Sequence, residues 1–302
     1  MRLLLTGATG FVGRELVPSL EVAGHDLVLV SRDGKRAQRM APRADVVEAD
    51  PSQPGPWQEL TGRVEGVINL AGEAIAEKRW TPAQLLQLRN SRIDTTRHLV
   101  EALEAAARKP AVFISGSAIG YYGSSSSTCF DEQSPPGEDV LGQLCRDWEA
   151  AALPAERFTR LVRLRLGIVL GPDGGALGRM IPMFRLGLGG PIGSGQQWMS
   201  WIHRTDLCRL IVTALEDGAY EGVYNAVAPN PVSMATMATA LGKAMGRPSL
   251  LPLPAPVLQM LLGDGAKVVL EGQQVMPRHL NQQGFAFRYP QLDAALAAVL
   301  HG

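Results

Sequence analysis

The chain has 302 residues, 29 of them basic and 29 acidic, so its formal charge is zero and no global field draws it to nucleic acid or anionic lipid. No apolar run reaches the roughly 18 residues that a spanning helix requires. Cys129, Cys145 and Cys208 lie far apart with neither C-x-x-C nor His-paired spacing, which argues against a disulfide framework and against a zinc site. In chain order, RLLLTG reads as a strand, followed by a helix from Phe11, the strand DLVLVSR, a second helix and the short strand ADVVEAD. GVINLAG follows, then a long helix whose start, TPAQ, makes Thr81 the cap, Pro82 the first helical residue and Gln84 the residue three on from the cap. AVFISGSA is the next strand, and DVLGQLCRDWEAAA, Asp139 to Ala152, one short helix. Near-continuous apolar strands alternating with helices predict a doubly wound parallel sheet, an α/β fold of the Rossmann kind.

Beyond Gly171 the texture changes. GPDGGALGRM and GLGGPIGSGQQW are glycine-rich and read as loops over a site, and the helix and strand of residues 205–228 are expected to rejoin the main sheet. Helices from Pro256 to Leu262 and from Tyr289 to Leu300 close the chain. The division expected is a dinucleotide-binding domain over 1–170 and a smaller C-terminal substrate domain over 171–302. With the first strand starting almost at Met1, no room is left for a cleavable leader. A cytoplasmic protein, monomer or homodimer, with a small-molecule substrate is expected.

TGATGFVG, Thr6 to Gly13, stands between the first strand and the first helix. Gly7 permits the sharp turn, Gly10 lets backbone approach a pyrophosphate, and Gly13 lets helix and strand pack closely, while the helix N-terminus attracts the anion. Thr9, Phe11 and Val12 complete the predicted cradle. The second strand ends at Ser31 and Arg32, about 19 residues beyond Gly13, where an NAD enzyme usually offers an acid to the ribose. A guanidinium there pairs bidentately with a 2′-phosphate, so NADP is the cofactor preferred, with Lys35 and Arg36 close behind. Asp33 leaves open a contact to the ribose hydroxyl instead. Asp50, ending the third strand, is a candidate for the adenine side. Asn69, Leu70, Ala71 and Gly72 end the fourth strand beside the cofactor, and Ser115, Ser117, Tyr121 and Tyr122 reach the same edge from the fifth.

Taken in order, TGATGFVG, NLAG, SAIGYYG, RLRLGIVLGP and WIHRTDL resemble the extended, epimerase-like short-chain dehydrogenase/reductases over about the first 230 residues. NLAGE, GPDGGAL and GQQWMSWIH narrow the resemblance to an NAD(P)-binding epimerase-family subgroup with a small C-terminal domain of unknown function. The resemblance implies an NADP-dependent oxidoreductase or epimerase-like enzyme acting on a small polar or sugar-nucleotide substrate. It also implies a Tyr-x-x-x-Lys pair on the helix after the serine segment, the tyrosine moving the proton and the lysine holding the nicotinamide ribose. Aligned by its Trp148-Glu149 end, that helix has Leu141 in the tyrosine's place and Cys145 in the lysine's. Leu141, Leu144, Cys145 and Trp148 fall on one apolar face, which makes Cys145 a packing residue with a raised pKa. Ser117 and Tyr122 are the catalytic candidates, with Tyr121 the other nearby phenol. His203 is either a group titrating near neutral pH or a structural hydrogen-bonder beside an Asp206 helix cap, and Glu73, Lys78, Trp198 and Trp201 are substrate-side candidates. A non-catalytic NADP-binding sensor or regulatory protein is the rival reading.

Overall fold

The apolar runs lie side by side in the computed structural model of the chain, which describes residues 1–301. The elements are β1 (Arg2–Thr6), α1 (Gly13–Val22), β2 (Asp26–Ser31), α2 (Gly34–Met40), β3 (Asp45–Glu48), β4 (Gly66–Asn69), α3 (Pro82–Ala105), β5 (Val112–Ala118), β6 (Cys129–Phe130), α4 (Val140–Ala152), β7 (Arg160–Leu166) and β8 (Ile168–Leu170). The later elements are α5 (Gly175–Arg185), β9 (Trp198–Met199), β10 (Trp201–His203), α6 (Arg204–Glu216), β11 (Gly222–Ala226), β12 (Val232–Ser233), α7 (Met234–Met245), α8 (Ala255–Leu262), α9 (Lys267–Leu270), β13 (Gln274–Val275), α10 (Arg278–Gln282) and α11 (Leu292–His301).

Seven strands form one parallel sheet in the order β11-β7-β5-β4-β1-β2-β3. Strand β11 thus pairs with β7 at the sheet's edge, although it follows the chain's departure into α5 and the loops after it. From β1 the chain builds outward through β2 and β3, then returns to the other side of β1 to lay down β4, β5 and β7. The order therefore reverses between β1 and β4, the place where parallel sheets open a crevice for ligands at their carboxyl ends. Helices cover both faces: Leu16 and Leu20 of α1 and Leu207 and Ile211 of α6 pack on one, Leu99 and Leu103 of α3 and Ala152 of α4 on the other. A separate apolar cluster joins Leu177 and Phe184 of α5, Met237 and Leu241 of α7 and Leu296 of α11.

Local chemistry sets the helix starts. Thr81 accepts the Gln84 amide at 3.2 Å and Asp139 accepts the Gly142 amide at 2.7 Å. Of the stretch GPDGGALGRM, expected as loop, residues 171–174 are loop and turn, whereas Gly175, at φ 61°, starts α5. His203, not Asp206, caps α6 by accepting the Thr205 amide on Nδ1. Asp206 is fully buried and accepts the Arg288 and Tyr289 amides at 2.8 Å each, fastening the approach to α11 onto α6.

Removing that carboxylate leaves two amides without their acceptor, at ~1–3 kcal/mol each where they stay dry. Asp206→Ala is therefore expected to lower the unfolding free energy by about 2–5 kcal/mol in denaturant titration and to open the 284–291 segment to protease. Unchanged stability and protease resistance would remove the tether.

Candidate functional site

At the carboxyl end of β1 the chain turns through Gly7, whose φ is 78°. A Cβ there would lie 2.5 Å from both the carbonyl carbon and the oxygen of Leu70, so the loop after β4 rests directly against this turn. A Cβ at Gly13 would lie 2.2 Å from the Ala8 oxygen. Gly10 differs: it is exposed, and only the Gly7 oxygen, at 3.1 Å, borders its missing side chain. Val12 precedes α1 with helical dihedrals and no side-chain cap. Among the described residues, the amides of Phe11, Val12 and Gly13 have no acceptor, while the Arg14 amide bonds to the Gly10 oxygen. Three aligned donors at the positive end of a helix dipole, opening past a bare glycine, fit a diphosphate. Thr9 is half-buried beside them.

The Phe11 ring does not face that opening. It packs against Gly174 and Gly175, with the Arg204 guanidinium 4.6 Å from its centre, so Phe11 serves the cradle through its backbone. Arg204 also pairs with Glu15 and Asp173 and donates to the Phe11 oxygen at 3.2 Å. The WIHRTDL segment thereby clamps the first turn of α1 to the loop after β8.

On the side of β2, Arg32 is exposed and makes no hydrogen bond or ion pair among the described residues. Arg36 reaches back to the Thr9 oxygen at 3.4 Å, bringing a second guanidinium to the glycine turn. Asp33 uses Oδ1 as the cap of α2, accepting the Arg36 amide at 2.8 Å. Ser31 is buried and its hydroxyl is engaged with the Asp33 backbone at 3.2 Å, so it holds the turn and presents no hydroxyl outward. Asp50 is exposed, with Oδ1 accepting from the amide and hydroxyl of Ser52.

Four expected contacts on the other side lie inside the protein. Asn69 is fully buried; it accepts from Thr6 Oγ1 at 2.7 Å and donates to Thr96 Oγ1 at 2.9 Å, so its side chain ties β1, β4 and α3 together behind the site. Ser115 and Ser117 are each 1% exposed. The parallel register sets Ser117 beside Arg165, and Ser117 Oγ donates to Glu149 Oε1 at 2.7 Å. Arg165 donates to both Glu149 oxygens, at 2.7 and 3.0 Å, and to the Tyr122 hydroxyl at 2.8 Å. Tyr122 in turn donates to Asn225 Oδ1 at 2.6 Å. Burial pushes the Tyr122 hydroxyl up to about 12, with Arg165 opposing that rise. Burial also works against the Arg165 charge, yet Glu149 holds that guanidinium above the usual arginine range. The Tyr122 hydroxyl thus both donates and accepts within the protein, and Ser117, expected beside it as a catalytic residue, is likewise bonded inside the same buried network. Tyr121 is less covered and lies under the Arg165 guanidinium, 3.4 Å from its ring centre.

Leu70, Ala71 and Gly72 are reachable from solvent, and the loop they begin is pinned at several points. Glu73 accepts from Lys78 at 2.7 Å, which holds its carboxyl below the ordinary range against the effect of burial. Arg92 donates to the Glu73 oxygen and Arg179 to the Ala76 oxygen, at 2.9 and 2.8 Å. Trp198 is half-buried and bonds the Ser126 oxygen, whereas Trp201 is core. Burial lowers the His203 pKa, and its ring lies 4.2 Å from that of Tyr289. A cavity of about 570 Å³ opens between the Gly193–Ser194 turn and residues Ala255 to Glu271.

Cys145 is 4% exposed, and its Sγ lies 3.7 Å from the Cβ position of Gly120. Burial lifts its thiol to about 12. Sequence reading overlooked Glu149, Arg165 and Arg92, because their partners come from other elements and no local spacing announces them.

The profile of the NAD dependent epimerase/dehydratase family matches residues 3–226, and that of a domain of unknown function, DUF1731, matches residues 253–299. The "Epimerase family protein SDR39U1 homolog, chloroplastic" of Arabidopsis thaliana is 44% identical over 305 residues, covering 99% of this chain and 87% of that protein. A crystal structure of the human epimerase family protein SDR39U1 (isoform 2) with NADPH superposes with a TM-score of 0.87, at 38% identity and 99% coverage of both chains. The UDP-glucuronic acid 4-epimerase of Bacillus cereus, in complex with UDP-glucuronic acid and NAD, shares the fold at a TM-score of 0.80 and 21% identity, over 99% of this chain and 98% of that one.

Thiolate, not thiol, is the reactive form, so burial that raises a thiol's pKa silences it below that pKa. At pH 8 a disulfide exchange reagent is expected to titrate one thiol per native chain, exposed Cys129, and three after denaturation. Rapid labelling of Cys145 in the folded protein would contradict its role as packing.

Proposed function

Given that this chain belongs to the NAD dependent epimerase/dehydratase family, we propose that it binds NADP across the carboxyl edge of its sheet. In this reading it works as an oxidoreductase or epimerase-like enzyme on a small polar carbonyl or alcohol, nucleotide-linked sugars included. The observation that carries the reading is the set of uncommitted amides at Phe11, Val12 and Gly13, with exposed, unpaired Arg32 at the end of the neighbouring strand. The amides take the pyrophosphate, and Arg32 with Arg36 takes the 2′-phosphate. Leu70, Ala71 and Gly72 border the nicotinamide half, and Asp50 borders the adenine. The NADPH in the human relative's crystal structure supports the choice of cofactor. The bound dinucleotide supplies or accepts hydride. The chain's own part is to orient it against the rigid floor of Ser117, Glu149, Arg165 and Tyr122, while the region of 171–302 outside the sheet receives the substrate. Among the described residues no helix is long and apolar enough to cross a membrane. A cytoplasmic location belongs to the same proposal.

One set of observations favours a second reading, an NADP-binding protein without turnover. Leu141 and Cys145 carry no group that protonates a substrate oxygen at neutral pH, and Tyr122 and Ser117 are bonded internally. Loss of a positioned general acid commonly slows a reaction by about a hundredfold to ten-thousandfold.

Calorimetry separates the two cofactors. Arg32→Glu is expected to weaken NADPH by about ten- to a hundredfold, the worth of a charge-assisted pair, while NADH changes little; equal losses would remove the phosphate role. Wild-type protein is expected to consume NADPH, followed by its absorbance, with at least one member of a panel of sugar and small-molecule carbonyls. Tight NADPH binding without turnover across the panel would favour the second reading.

A further inference from the structure

Arg92 is a largely covered cation beside the loop after β4 that makes no ion pair with a carboxylate among the described residues. It stands on α3: the Cβ position of Gly72 lies 3.2 Å from its guanidinium carbon, and the Trp148 ring of α4 lies 5.4 Å away. Of its five N–H donors, two reach carbonyls, Leu88 O at 3.1 Å and Glu73 O at 2.9 Å, and the others have no acceptor among the described residues. The adjacent Glu73 carboxylate is bonded to Lys78. By contrast, Arg165 and Arg204, buried at the same end of the sheet, each hold a carboxylate directly. Cys145, close by on α4, is neutral. Burial lowers the Arg92 pKa, as expected of a charge taken out of water without a full complement of partners.

The topology says which part of a ligand meets it. A dinucleotide lies across the reversal between β1 and β4, with one nucleoside on each side. Arg32, at the end of β2, selects the side of the 2′-phosphate, so the nicotinamide nucleoside falls over β4 and β5. There Leu70 touches Gly7, and Gly72, two residues on, touches Arg92. A guanidinium presents parallel donors that match two oxygens on adjacent atoms, as in a vicinal diol.

We infer that Arg92 binds the nicotinamide half of the dinucleotide, its free donors taken by the paired hydroxyls of that ribose. The inference rests on the NADP reading above. It gives α3 the cationic function that α4 lacks.

Calorimetry with two ligands tests it: NADPH, and adenosine 2′,5′-bisphosphate, which carries only the adenine half. Arg92→Gln is expected to weaken NADPH by about tenfold and leave the bisphosphate unchanged, as is Arg92→Lys, which keeps the charge but loses the paired donors, by several-fold. Both variants should melt as the wild type does without ligand. Unchanged NADPH affinity in either folded variant would overturn the role. So would equal losses of both ligands together with a lowered melting temperature, which would make Arg92 structural, or intact NADPH affinity with loss only of an anionic substrate. If wild-type protein bound the bisphosphate and NADPH with no heat at all, the cofactor reading itself would fall.

Discussion

Nothing larger than hydrogen can stand on the α-carbon of residue 13, because the Ala8 and Gly7 oxygens would lie 2.2 and 2.5 Å from a Cβ. That contact seats the first turn of α1 on the end of β1 and aims three amides past Gly10. The same turn presses Gly7 against Leu70 and Ala71, so the start of the loop after β4 is seated on the end of β1. The two arms of the crevice, one ending in Arg32 and the other in Gly72, therefore diverge from a single point of steric contact.

Around that point two largely buried guanidinium groups tie elements together. Arg204 joins α6 to Glu15 of α1 and to Asp173, and Arg165 joins β7 to Glu149 of α4. Buried pairs of this kind add little net stability, since desolvation offsets their attraction, but loss of either partner costs ~3–5 kcal/mol. Their effect is to fix which elements meet and how. The sheet edge at β5 and β7 is consequently bonded internally, with Ser117 and Tyr122 engaged inside it. At the same edge the loop of residues 70–80 pairs its own Glu73 with Lys78.

What the sequence revealed follows from the range of the forces involved. Apolar runs, the glycine spacing from Gly7 to Gly13 and the Thr81 cap are local, and each is legible within a few residues of chain. The neutral face of Leu141 and Cys145 was legible for the same reason. The bonds of Ser117 and Tyr122 were not legible, because a hydroxyl at a strand end looks identical whether it faces a crevice or a buried ion pair. The partner that decides is Arg165, brought beside Ser117 only by strand register. The same holds for Asn69 and Ser31, whose side chains bond to neighbours within the protein. The GALGRM stretch read as loop because glycine lacks helix propensity, yet Gly175 needs only to supply the turn that starts α5. Arg92 gave no signal at all: it is a polar residue in a long helix, and its place beside Gly72 and Trp148, with no carboxylate bonded to it, exists only after α3, α4 and the loop after β4 have packed.

The central claim concerns three backbone amides, which no side-chain substitution removes, and hydrogen exchange reads them directly. With saturating NADPH, exchange in the peptide spanning residues 7–14 should slow by about tenfold or more, as hydrogen-bonded amides do when opening requires release of the ligand. If NADPH bound while exchange across residues 7–14 stayed as fast as in its absence, the helix N-terminus would not be the seat of the diphosphate.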